Sequence, residues 1–379
     1  MILKLLNERA GIRRVLILLL GIIFFIFLYS FNKIDKVQLT NKQGISYEKG
    51  KVVEIIEDNL QEDGSRIGYQ KVKIKMLSGE LKGEVLEGTS FSGYLYGADC
   101  KVNMKVIVNI STSNEVSVVS VYSYYRAPII YVFVGLFLLM LWVIGGKKGL
   151  KSVIGLIFTF ICIMYLLLPM IYKGYSPFLS AVIVVILVTL VSLYLIDGIT
   201  KKTISAMVGT VIGVVIAGVF AAGFGYFAKI SGYNVKEVEE LVFVANNTNL
   251  SVGSILFAGI LISSLGAVMD VSMSIASTIN EIYEHNPNLS KKELFKSGIN
   301  VGKDMMGTMS NTLILAFTGG SLNTLILNYS YSMKYNQIIN MYEIGIEIMQ
   351  GVSGSIAIVL TVPLVSFISS RLLSYKVVK

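Results

Sequence analysis

"GTVIGVVIAGVFAAGFG", residues 209–225, runs without a single charged side chain. The uncharged segment around it, 205–228, would span about 36 Å as a helix at about 1.5 Å per residue, enough to cross the roughly 30 Å hydrocarbon layer of a bilayer. Within it Gly209, Gly213, Ala217, Ala221 and Gly225 recur every four residues, so they line one face of the helix. A ridge of small residues lets a neighbouring backbone approach closely, which is how helices pack in lipid. The stretch therefore reads as one membrane-crossing helix with a built-in packing seam.

Working outward, seven more apolar segments are legible near 15–31, 128–145, 152–172, 177–196, 252–274, 305–327 and 351–370. The fold class expected is an α-helical multi-pass membrane protein of about eight spans. The first segment lacks a small-x-small cleavage pattern and reads as an uncleaved anchor rather than a signal peptide. Prolines fit this division: Pro128 and Pro177 open segments, while Pro169 and Pro363 fall within them and mark places to kink. The composition agrees, since 54% hydrophobic and 15% charged residues, with a mean hydropathy of +0.69, do not suit a soluble globular chain.

Charge sets the expected orientation. With the N-terminus in the cytoplasm, Lys and Arg gather in the segments predicted to be cytoplasmic: Lys4, Arg9, Arg13 and Arg14; Lys147, Lys148 and Lys151; Lys201 and Lys202; Lys291, Lys292, Lys296 and Lys303; and Arg371, Lys376 and Lys379. The short outer loops hold only Lys173, Lys229, Lys236 and Lys334. This asymmetry is the positive-inside pattern and places both termini in the cytoplasm. It also accounts for the net charge of +9 without invoking nucleic acid.

The organisation expected is an anchor helix at 1–32, an extracytoplasmic β-domain at 33–126 and a seven-span membrane domain at 127–379. In the β-domain, "GKVVEIIED" (50–58), "YQKVKIKML" (69–77), "CKVNMKVIVNI" (100–110) and "EVSVVSVYSYY" (115–125) alternate or run apolar between Gly, Asn and Ser. Five or six short strands in that length predict a small, OB-like barrel.

Polar residues inside the apolar segments are the candidates for function. Asp270, Ser274, Ser277 and Glu281 stand at offsets 0, 4, 7 and 11 and share one helix face within about 60°. Asp304, Thr308 and Asn311 repeat the pattern at offsets 0, 4 and 7 on the next, antiparallel segment. The two stripes are expected to face each other at one depth, with Gly307 allowing close approach. A charge in hydrocarbon costs at least about 3 kcal/mol unless paired, neutralised or hydrated. Asp270 is thus either part of a polar pathway or a lock, pairing with Lys303 or accepting bonds from Ser and Asn. On the outer side, "NQIINMYEIGIEIMQG" (336–351) carries Glu343 and Glu347 on a polar face and reads as an interfacial or half-inserted helix, a candidate outer vestibule.

One histidine, His285, and two cysteines, Cys100 and Cys162, leave little for metal or nucleophilic chemistry, and no disulfide is expected between segments placed on opposite sides of a helix. No metal, no cofactor and no enzymatic activity is predicted. A paired-aspartate intramembrane hydrolase needs two acids at one depth, and Asp270 and Asp304 read as one to two turns apart. No G-x-x-x-x-G-K-[ST] motif is present, so any transport draws its energy from a gradient or a partner.

"GAVMDVSMSIAS" (266–277), "ELFKSGINVGKDMMGTMSNTLILAF" (293–317) and "GSIAIVLTVP" (354–363) closely resemble the YibE/F-like family of bacterial multi-pass membrane proteins, over roughly 128–370. The resemblance implies a bacterial cytoplasmic membrane protein and specifies no activity. The function expected from the residues is a transporter or channel for a small ion or polar solute, moving through a seam between the sixth and seventh segments. The alternative is a non-transporting envelope scaffold or sensor acting through the β-domain. Expected partners are the lipid bilayer, a small ion or polar solute and further copies of the chain, with no nucleic acid.

Overall fold

The computed structural model describes residues 19–34, 36–39, 44–91, 97–113 and 116–373. The start of the expected first span, and with it Lys4, Arg9, Arg13, Arg14, Lys376 and Lys379, lie outside the described residues. The chain divides into two compact units: Gln38–Met140, and Met1–Val37 together with Leu141–Lys379.

The first unit holds five strands, β1 (Ile45–Glu57), β2 (Tyr69–Met76), β3 (Val85–Phe91), β4 (Lys105–Ser113) and β5 (Val116–Tyr124). They close into a barrel in the order β1-β2-β3-β5-β4, antiparallel throughout except for the β3–β5 pair. β2 shows why: Gln70, Val72, Ile74 and Met76 point inward while Lys71, Lys73 and Lys75 point out, the period-two alternation of a sheet with one buried face. The long β1 serves both β2 and β4, and register shifts at Val52/Glu54 and Ile55/Glu57 bend it. Val52, Val72, Ile74, Val106, Val108 and Val121 fill the interior. β3, absent from the strands singled out in the sequence, is weakly apolar and carries Gly88, where a Cβ would lie 2.9 Å from Val119. It is a strand because its neighbours need it to close the barrel.

Several polar groups inside the barrel are tied to one another, while the Asn109 side-chain oxygen on β4 is buried without a hydrogen-bond partner among the described residues. Buried Gln70 accepts the Cys100 amide at 2.8 Å and donates to Asp58 at 3.0 Å. Arg66 pairs with Asp58 and also with Asp99. The Gln70 amide, and then Arg66, hold the Asp58 carboxyl below its ordinary value. Burial pushes the free Cys100 thiol up.

The second unit is helical: α1 (Leu19–Phe31), α2 (Ala127–Tyr172, whose first residues belong to the barrel unit), α3 (Pro177–Asp197), α4 (Lys201–Ala228), α5 (Val238–Asn246), α6 (Ile255–His285), α7 (Lys291–Gly320), α8 (Leu322–Ser330) and α9 (Tyr342–Leu373). Five helical stretches are long and apolar enough to cross a membrane: Ala127–Tyr172, Pro177–Asp197, Lys201–Ala228, Val252–His285 and Tyr342–Leu373. The two segments expected at 128–145 and 152–172 are two helical arms of α2 that meet at a kink at Gly146 (φ 54°, ψ −133°), and Lys147, Lys148 and Lys151 open the second arm. A positive φ of this kind suits glycine, which lacks the clashing Cβ. The segment expected at 305–327 is divided between α7 and α8, and the stretch 336–351, read as an interfacial helix or a half-inserted one, forms part of a single turn at Tyr335–Ile338 and then the first turns of α9, continuous with the last apolar segment.

α2 also contains a π-helical stretch, Ile163–Leu167, followed by Pro169. Proline has no N–H to offer the Tyr165 carbonyl, and the Asn32 amide donates to that oxygen at 2.7 Å. Lys173 donates to the Phe31 carbonyl at 2.8 Å and lies over the Phe31 ring. These contacts fasten α1 to α2.

The α4 ridge is the centre of the bundle. Gly209, Gly213, Ala217, Ala221 and Gly225 are all buried. A Cβ on Gly213 would fall 2.1 Å from the Thr361 hydroxyl of α9 and 2.8 Å from Val268 of α6, and one on Gly209 would fall 2.2 Å from Val365. Side chains of α6 and α9 pack there directly onto the bare backbone of α4.

Candidate functional site

α6 places one face in the core and turns the other away. Val268, Val271, Ile275 and Ile279 are fully buried, as is Ser272, which faces Gly209. Asp270 and Glu281 are exposed and Ser274 and Ser277 half-buried, so the predicted stripe is one continuous strip opposite the core. Asp270 lies about 22 Å along the helix from Ile255, and Glu281 forms an i,i+4 contact with His285 at 3.4 Å near the helix end.

Asp270 opens onto a groove of about 380 Å³ between α2, α3 and α6. Its walls are largely apolar, built from Leu156, Ile163, Val184, Val188, Ile262 and Leu265, with Ser152, Thr159 and Ser192 set into them. Gly155 leaves room for Ser192, whose hydroxyl would sit 3.4 Å from a Cβ there. Lys151 lines one end and donates to the Ile196 carbonyl at 3.3 Å, covering the C-terminus of α3. Beside it Asp197 holds Lys202 at 2.8 Å and Lys148 at 3.9 Å. This is the basic end of the bundle. Among the described residues Asp270 makes no ion pair and accepts no hydrogen bond, and in particular it does not meet Lys303. The lock expected as one of its two roles has no partner here.

The seam expected between the two stripes is not closed within the chain. α7 packs through its glycines: a Cβ on Gly298 would lie 2.6 Å from Ile279 and Ser366, and one on Gly302 would lie 2.2 Å from Val362. Asp304, Thr308 and Asn311 lie on the side of the helix away from those glycines and are exposed, and Thr308 donates back to the Asp304 carbonyl at 2.8 Å. Gly307, expected to allow close approach, has nothing within 4 Å of a would-be Cβ. The glycine face decides the rotation of α7, and the stripe follows to the opposite side. α7 begins with Ser290 and Glu293 in a capping box, which holds the Glu293 carboxyl below its ordinary value through the Ser290 hydroxyl and amide.

At the other end, Glu343 and Glu347 line a cavity of about 230 Å³ with Asn234, Lys236, Ser321 and Thr324. Glu343 accepts from Thr324 at 3.1 Å and lies 3.5 Å from the Lys236 ammonium. A second cavity, about 220 Å³, adjoins it and shares Ser321, Ile344 and Glu347.

Sequence reasoning missed a ladder on α9. Ser353, Ala357, Thr361, Val365 and Ser369 recur every four residues and are all buried, and Ser366 faces Gly298. The hydroxyls of Ser272, Thr361, Ser366 and Ser369 have no hydrogen-bond partner among the described residues. The signal that finds this ladder is the one already used for α4, a four-residue recurrence of small side chains, here masked by its mixture of Ser, Thr and Val.

A family model described as YibE/F-like protein matches residues 133–375. No curated protein and no solved structure matches the chain.

Proposed function

The chain belongs to the YibE/F-like family, and we propose that it is a membrane transporter or channel for a small ion or polar solute, with its route along the α6 stripe. The observation that carries this reading is Asp270: a carboxylate without a partner among the described residues, on a helix apolar enough to cross a membrane, opening onto a groove with hydroxyl-bearing walls. A structural acid in that position would need an ion pair or donors to offset about 3 kcal/mol or more, whereas an acid that binds a passing solute must be free to receive it. The proposal places eight crossings in a bacterial cytoplasmic membrane, α1, the two arms of α2 and α7 among them, with the basic end and both termini cytoplasmic and the OB-like barrel outside. The cluster of Lys148, Lys151 and Lys202 at one end of the bundle supports that orientation.

The test is flux through liposomes containing the full chain, loaded with radioactive sodium or rubidium. Asp270→Asn is expected to lower flux by about tenfold or more, with the variant as thermally stable as the parent. Unchanged flux removes Asp270 from the mechanism.

A second reading, a non-transporting scaffold or sensor acting through the barrel, draws on two exposed aromatic pairs, Tyr47–Tyr122 (5.0 Å between ring centres) and Tyr69–Phe91 (6.0 Å). Exposed aromatic side chains are common anchors in protein interfaces. It gains if the parent chain itself carries no solute.

A further inference from the structure

The cavity at the acidic end of the bundle has a composition that the α6 groove lacks. Glu343, Glu347, Ser321 and Thr324 line it, and among the described residues lining it Lys236 is the one cation. Ser321 is 9% exposed and its hydroxyl is buried without a hydrogen-bond partner, although its residue lines both adjoining cavities. Leaving a buried hydroxyl unpaired is costly, and a ligand that completes it removes that cost. Glu347 also lines both cavities and makes no ion pair or hydrogen bond among the described residues. Lys236 stands 3.5 Å from Glu343, a looser approach than the 2.8 Å of Lys202 to Asp197, and its side chain is largely exposed.

We propose that this cavity is a binding site for a small monovalent inorganic cation, held by Glu347 and Ser321, with Lys236 as a tethered competitor at Glu343. Charge selects the ligand class. Lys236 offsets one of the two carboxylates, which leaves a single formal negative charge to be matched. Oxygen ligands suit a hard cation, and neutral hydroxyls beside one carboxylate suit a monovalent ion better than a divalent one, which gathers six to eight oxygens, several of them carboxylate. The tether works because the Lys236 ammonium and the bound cation compete for the same negative charge. The assignment stands on these residues and does not depend on the role of Asp270.

The experiment is equilibrium binding of radioactive sodium, and separately of rubidium as a stand-in for potassium, to the purified full chain in detergent. Saturable binding of one of them is expected. Glu347→Gln is expected to weaken it by about tenfold, the scale of one lost charged ligand. Ser321→Ala should weaken it about threefold. Lys236→Met should tighten it by about threefold or more, a gain that misfolding cannot produce. No saturable binding of either ion, unchanged affinity in Glu347→Gln with the variant still folded by its elution profile, weaker binding in Lys236→Met, or tighter binding of calcium than of both monovalent ions would each overturn the proposal. Because binding is read without flux, a chain that binds but carries nothing across a liposome sinks the transport reading alone.

Discussion

The barrel and the helical unit differ in how far their polar side chains are tied to one another. In the barrel, Asp58 receives Arg66 and the Gln70 amide, Gln70 in turn holds Cys100, and Ser90 both donates to and accepts from Ala98. In the helical unit, among the described residues, Asp270 has no partner and Ser272, Thr361, Ser366 and Ser369 keep buried hydroxyls unpaired, the first three beside the glycine contacts. A small barrel has little core to spare for unpaired groups, so most of its polar side chains are tied to one another and help hold its shape. The helices rely on close approach at glycine for their cohesion, and this leaves their acids and hydroxyls available for other work.

If glycine contact is what holds the bundle, Gly213→Leu should be the most damaging change in the chain. Its side chain would enter the space of Thr361 and Val268, and overpacking on this scale costs about 3 kcal/mol or more. The expected outcome is loss of the folded chain, read by size-exclusion and thermal melting in detergent. A normally folded Gly213→Leu would show that α4 does not lie where the structure has it. Asp270→Asn comes next and separates function from stability: flux falls by about tenfold while the melting temperature holds, since no partner is stranded. A fall in melting temperature would reveal a structural bond that the structure does not contain.

Arg66→Ala is the mirror experiment. Removing it takes the ion pair from both Asp58, which keeps the Gln70 amide, and Asp99, and the partial exposure of both acids limits the cost to about 1–2 kcal/mol. Hydrogen exchange measured in the full chain should speed up in β1 and β2 with flux unchanged. The smallest effect is on pH. Because Gln70 and Arg66 favour the charged form of Asp58, its folded value lies below its unfolded one. Its contribution is therefore complete above the unfolded value, near pH 4, and is lost as pH falls through the folded one. Asp58→Asn should flatten that part of the barrel's acid sensitivity, and an unaltered acid profile would remove Asp58 as its source.

What could be read from the sequence follows the same contrast. Periodicity is a property of one helix or strand, so the α4 ridge, the α6 stripe and the alternation in β2 were legible from residue spacing alone. Relations between elements were not. The spacing of Asp304, Thr308 and Asn311 correctly puts them on one face, but the direction of that face is set by Gly298 and Gly302 docking on Val362 and Ile279, contacts remote in sequence. The groove partners of Asp270, Ser192 on α3 and Thr159 on α2, were invisible for the same reason. β3 escaped because closure of the barrel, and not its own weakly apolar residues, makes it a strand. The boundary near Gly146 was legible, but not its form, because a glycine between two apolar runs reads as a loop as readily as a single left-handed residue.

The bond from Asn32 to the Tyr165 carbonyl has a mechanical side. A helix yields most easily where its hydrogen-bond ladder is already irregular, and in α2 that place is the π-helical turn before Pro169. α1 is tied to that turn, whose first residue, Ile163, is also a wall of the Asp270 groove. A load applied along α1 therefore arrives at the most compliant part of α2 and is borne next to the acid, so that tension in the first described helix and the width of the groove share one fulcrum.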